Sequence, residues 1–175
     1  MRLLLTVVVS ALATLLVLSQ FRTADATVGC PSPAAAPSTS SELDRWSKEQ
    51  VANARIIVEI GAERRIPVHG QVVAVATALQ ESTLRNLRGG DRDSIGLFQQ
   101  RPSQGWGTPK QLSDPAYQTG KFYDKLVKIK NWEKMRLTDA AQAVQISAFP
   151  EAYAKHTKTA TRLVTALSPS PAGCG

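Results

Sequence analysis

One glutamate carries the first chemical signal in this chain. Glu81 lies in "ALQESTLRNLRGGDRDSIGLFQQ", residues 78–100, at the end of an apolar helical pattern where a core residue is expected. On an ideal helix the positions three, four and seven before it share its face. These are Ala78, Thr77 and Ala74, small residues that would leave room in front of the carboxyl, while Val72, Val75 and Leu79 lock the helix into a core. A carboxyl drawn out of water favours its neutral form. A carboxylic acid that keeps its proton near neutrality suits glycoside cleavage, where the leaving oxygen must receive one. Taken alone, Glu81 reads more simply as a solvated glutamate at a fraying helix end. A hydrolase using two carboxylates needs the second roughly 5–9.5 Å away. Asp91 and Asp93 follow in the loop and could reach that range, but solvated loop residues, or a turn cap at Asp93, are the simpler reading.

The neighbourhood of Glu81 adds a second signal. Glu81-Ser82, a loop, then Ser94-x-Gly96-Leu97-Phe98-Gln99 resembles the signature of the soluble lytic transglycosylase and goose-type lysozyme superfamily. Arg101 to Gly107, "RPSQGWG", resembles a secreted bacterial branch of it, and a weaker likeness runs from Asn53 to His156. The resemblance implies a mainly α, lysozyme-like helical domain that cuts the MurNAc-GlcNAc β-1,4 bond of peptidoglycan. It implies Glu81 as the general acid/base, with Ser94, Gly96 and Gln99 lining the substrate cleft. Gly96 would let the backbone approach the sugar or simply make a tight turn, and Gln99 would offer its amide to hydroxyl or N-acetyl groups. It also implies a route with one carboxylate: the substrate's N-acetyl group assists, and Glu81 returns as a base to close an anhydro ring. A lytic transglycosylase is therefore expected ahead of a hydrolase. The family's Ala-Tyr-Asn stretch has only Ala152-Tyr153-Ala154 as its counterpart. The missing Asn favours the alternative of a non-catalytic peptidoglycan-binding module, and a basic scaffold protein is a third reading. Tyr153 is read as a cleft residue or a core tyrosine. Trp106, between two glycines, is read as a sugar-stacking platform at the cleft edge or a core plug, and Trp46 and Trp132 as packing residues.

Other chemistries lack residues. His69 and His156 are solitary, so no metal site is expected. There is no Gly-x-Ser-x-Gly elbow and no P-loop. The two cysteines lie near the ends of the chain, which argues against a Cys-His peptidase. No cofactor is expected.

The elements that must hold these residues are helices. Residues 42–65 and 71–84 have apolar residues at helical spacing, the second nearly all round, and so central. Residues 85–93 read as a loop, and 93–99 as the one strand-like piece. Thr108-Pro109-Lys110-Gln111 and Asp114-Pro115 are helix starts, the second opening a helix over 115–129. Thr138 is expected to cap a helix over 139–147, and Pro150 to open the last, to Leu167.

The ends of the chain read differently. Arg2, the apolar run Leu3 to Leu18 and Ala24-Asp25-Ala26 read as a signal peptide over 1–26. The run is short of the ~20 residues a spanning anchor needs. A lipid-modified Cys30 is less favoured, since it lies well beyond the apolar run. Residues 27–41, with "PSPAAAPSTSS", read as a linker, 42–167 as the domain and 168–175 as a tail. Export favours a disulfide between Cys30 and Cys174, which would close a long loop and contribute up to ~4–5 kcal/mol. The net charge of +7 over 175 residues attracts anionic polymers. No basic stripe studded with aromatics points to nucleic acid. The expected partner is the peptidoglycan glycan strand, met outside the cell at the wall, with no stable membrane insertion after cleavage and the chain acting as a monomer.

Overall fold

The computed structural model describes residues 39–168, which are mainly helical. Seven α-helices run in order among them: α1 (Thr39–Leu43), α2 (Lys48–Glu63), α3 (Val68–Ser82), α4 (Pro109–Leu112), α5 (Pro115–Leu126), α6 (Leu137–Gln145) and α7 (Thr157–Leu167). Short 3-10 turns sit at Pro102–Gln104, Trp132–Lys134 and Ala154–His156. The signal peptide, most of the linker, both cysteines and the tail beyond Ser168 lie outside the described residues.

Helix α3 is the axis of the domain. Every residue from Gly70 to Leu79 is buried, and α2, α6 and α7 pack around it. A helix apolar on all sides is stable only when enclosed in this way. Its C-terminus is fixed from α2. Thr83 and Leu84 take left-handed backbone, with φ of 54° and 60°, and leave two carbonyls pointing away from the helix. Gln50 Nε2 donates to the Thr83 carbonyl at 2.9 Å, and Asn53 Nδ2 to the Leu84 carbonyl at 2.8 Å. Leaving the buried Leu84 carbonyl unpaired would cost ~1–3 kcal/mol, so Asn53 fixes where α3 ends, with Gln50 beside it at the partly buried Thr83 bond. Glu81 stands one residue before that end.

Local chemistry sets three helix starts, two of them, at Thr108 and Asp114, where they are expected. Ser47 caps α2 with Gln50 in a capping box, Thr108 and Gln111 do the same for α4, and Asp114 caps α5 ahead of Pro115. Other boundaries move. The expected 42–65 helix is two helices, because the Ser47 box starts a new one, and α1 begins at Thr39, inside the segment read as linker. Helix α3 starts at Val68, directly after Pro67, rather than at Gln71. Helix α5 stops at Leu126, not Ile129. Thr138 is not a cap but lies inside α6, which starts at Leu137; its hydroxyl donates to the Pro150 carbonyl at 2.6 Å. That bond holds Pro150 in a loop, and the last helix starts only at Thr157. The strand-like piece is one isolated antiparallel bridge, Ile95 with Gln100.

Candidate active site

Glu81 is half-buried, and two later segments close on its carboxyl. The Tyr153 hydroxyl donates to Glu81 Oε1 at 2.9 Å. The Gln145 side chain, from the last residue of α6, is the second donor. Burial raises the Glu81 pKa above its ordinary value of 4.5, while the Tyr153 and Gln145 hydrogen bonds pull it down. Desolvation wins, so the proton is held more tightly than in water. Burial and the neighbouring carboxyl both push the Tyr153 phenol up, so it remains a donor.

Each wall of this site has a local cause. Ser82 Oγ donates to the Ala78 carbonyl at 3.1 Å and the Leu97 carbonyl at 2.8 Å, tying the Ser94–Gln100 segment to the end of α3. Gln145 Nε2 donates to the Phe98 carbonyl at 2.8 Å, which fixes the amide beside Glu81. Phe98 stacks on Phe122 of α5, centroids 4.8 Å apart. Tyr153 arrives on the loop after α6. Gln142 pins that loop by two bonds to Ser147, and Thr138 and Arg136 hold Pro150 and Glu151. Its Ile146 and Phe149 side chains stay 77% and 74% exposed, so the loop presents apolar surface close to the acid.

The remaining expected site residues have other surroundings. Ser94 is buried, its N–H bonded to the Asp91 carbonyl at 3.1 Å. Gly96 has φ 81°, and the place of its missing Cβ is filled by the Gln118 amide at 2.1 Å. It is a turn glycine against α5, with no face open to a sugar. The Gln99 amide turns back to the Gly96 carbonyl at 3.0 Å and lies over Gly90, so it is not extended toward a ligand. Trp106 is a core residue, 7% exposed, with Lys125 Nζ 3.8 Å from its ring centroid; it has no free face for stacking. Ala74, Thr77 and Ala78 are fully buried, so they seat α3 and open no room before the carboxyl.

No second carboxylate is held at the site by Asp93. Arg101 Nε meets one of its oxygens at 2.6 Å and the Ser103 N–H the other at 2.8 Å, which holds its pKa well below the carboxylate range. It staples the loop. The Asp91 side chain is 92% exposed, 3.9 Å from Arg92. Gln145 is the residue that sequence reasoning missed. Its type and helical position carry no signal, and only the fold brings it to Glu81. Comparison with protein-family models and with curated proteins gives no match for this chain.

Proposed function

We propose that the protein is a secreted peptidoglycan-cleaving muramidase acting as a lytic transglycosylase. The observation that carries this reading is the half-buried Glu81 carboxyl, its proton held by burial and its oxygen bonded by Tyr153 at 2.9 Å. The Glu-Ser and Ser-x-Gly-Leu-Phe-Gln resemblance supplies the substrate class and the lysozyme-like fold.

In this reading Glu81 gives its proton to the bridging oxygen as the bond from that oxygen to the muramyl C1 breaks. The departing sugar leaves as an alcohol. The substrate's own N-acetyl oxygen supports the positive charge at C1. The Glu81 carboxylate left behind accepts hydrogen bonds from Tyr153 and Gln145, which steady the charge it has just gained. It then takes the proton of a muramyl hydroxyl, whose oxygen bonds to C1 and closes the anhydro ring. Glu81 ends protonated, and no water is consumed. The engagement of Asp93 with Arg101 and Ser103 favours this route over one needing a second carboxylate.

The test is to incubate the protein and Glu81→Gln with purified peptidoglycan and weigh the released muropeptides. Products one water lighter than the reducing-end forms, from the native protein alone, support the reading. Reducing ends mean hydrolysis. Binding without release by either form means a wall-binding module, and equal release by both forms removes Glu81 from the chemistry.

A further inference from the structure

A cavity of about 140 Å³ opens between α5 and the Gln104–Trp106 segment. Three lysines line it, Lys121, Lys125 and Lys128, at a spacing of four and three residues that puts them on one side of α5 and its final turn. The carboxylate in the lining, Asp124, is already paired with Arg64. The cavity therefore carries positive charge with no counter-ion of its own. Lys125 Nζ sits over the Trp106 ring and donates to the Val144 carbonyl at 3.2 Å, so its position is fixed. Lys121 Nζ lies 6.0 Å from the Tyr117 ring centroid. At Gly105 an added Cβ would meet nothing within 4 Å, which leaves that side of the cavity open. A small recess lined by several ammonium donors, one of them held in place over an indole ring, suits an anionic group.

One hydrogen bond links its wall to the segment that serves Glu81. The Val144 carbonyl held by Lys125 belongs to the residue before Gln145, whose side chain serves the Glu81 carboxyl. We propose that this cavity binds a carboxylate of the peptide stem carried by the wall glycan, so that the chain reads the stem as well as the sugar. The inference rests on the peptidoglycan reading above. It favours a carboxylate over a phosphate because the peptide stem of such a glycan carries carboxylates beside the strand to be cut.

The test uses the full chain and does not depend on turnover. A muramyl peptide with free carboxylates, its amidated form and a glycerol-phosphate oligomer are titrated separately, and the Trp106 indole N–H signal is followed by NMR. The free acid is expected to shift that signal and the amidated form to leave it unmoved. The Lys121→Gln/Lys128→Gln variant is expected to bind the free acid about tenfold more weakly, from two partly screened pairs. That difference should shrink as salt rises toward ~1 M. No shift with the free acid, an equal shift with the amidated form, or a larger one with the glycerol phosphate overturns the proposal. Turnover of stem-stripped glycan, measured alongside, judges the Glu81 chemistry by itself. Cleavage there without a response at Trp106 would sink the stem site and leave the enzyme reading standing.

Discussion

The Tyr153 hydroxyl and the Glu81 carboxyl meet at 2.9 Å across 72 positions of chain. The bond opposes the burial of the acid: one favours the charged form, the other the neutral form, and burial is the larger effect. Removing the hydroxyl in Tyr153→Phe should raise the Glu81 pKa further. The alkaline limb of the pH–rate profile then moves to higher pH. The maximal rate should fall about tenfold to a hundredfold, the value of one hydrogen bond to a charged group. An alkaline limb that stays in place or moves to lower pH would contradict the arrangement.

Stability should carry the same signature. The folded-state pKa of Glu81 lies above its ordinary value of 4.5, so its contribution to folding is fully present below that value. The contribution is lost as pH rises through the folded value. Glu81→Gln keeps an acceptor for Tyr153 and removes the titration. Its melting temperature relative to the native protein should rise as pH increases above 4.5, while the maximal rate falls by ~10²–10⁴. A melting difference independent of pH would show that burial does not strain this carboxyl.

Gly96→Ala tests the turn beneath Phe98. The new Cβ would meet the Gln118 amide at 2.1 Å, at a φ of 81° that disfavours any side chain. Left-handed backbone costs ~1–2 kcal/mol and overpacking ~1–3 kcal/mol, so denaturant unfolding should show a loss of ~2–5 kcal/mol. Gln118→Ala alone loses the Gln118 bonds to Phe98 and Asn86, and on that background Gly96→Ala should cost only the backbone part. A neutral Gly96→Ala would mean the turn is not held as described.

How far the sequence speaks for itself divides along a physical line. Capping at Ser47, Thr108 and Asp114 is local, made within three residues, and could be read directly from the spacing for Thr108 and Asp114. The buried axis around Val72–Leu79 could be read from periodicity. Pro150 misleads because a proline at a helix start is locally favoured, while the bond from Thr138, twelve positions away, holds it in a loop. Trp106 misleads because flanking glycines suggest exposure, and the lysine that covers it comes from α5. In the site, the helix pattern alone leaves Glu81 as a solvated residue at a helix end, and the Glu-Ser and Ser-x-Gly-Leu-Phe-Gln resemblance singles it out. Gln145 is not legible, because its two contacts are made with residues that the chain brings near only after folding.

Ile146 gives a further handle on the loop beside the acid. It closes α6 at φ 56°, a backbone that β-branched residues disfavour, and its side chain is 77% exposed. Ile146→Asn should stabilise the fold by ~1 kcal/mol, since asparagine accepts this conformation and little packing is lost. A lower melting temperature would show that the isoleucine makes a contact worth more than its strain.

The most direct measurement is an NMR titration of the Glu81 side-chain carboxyl carbon in the intact protein. The account predicts a midpoint above the ordinary 4.5, rising further in Tyr153→Phe. A midpoint at or below 4.5 would contradict it, because burial would then not favour the protonated form of this acid.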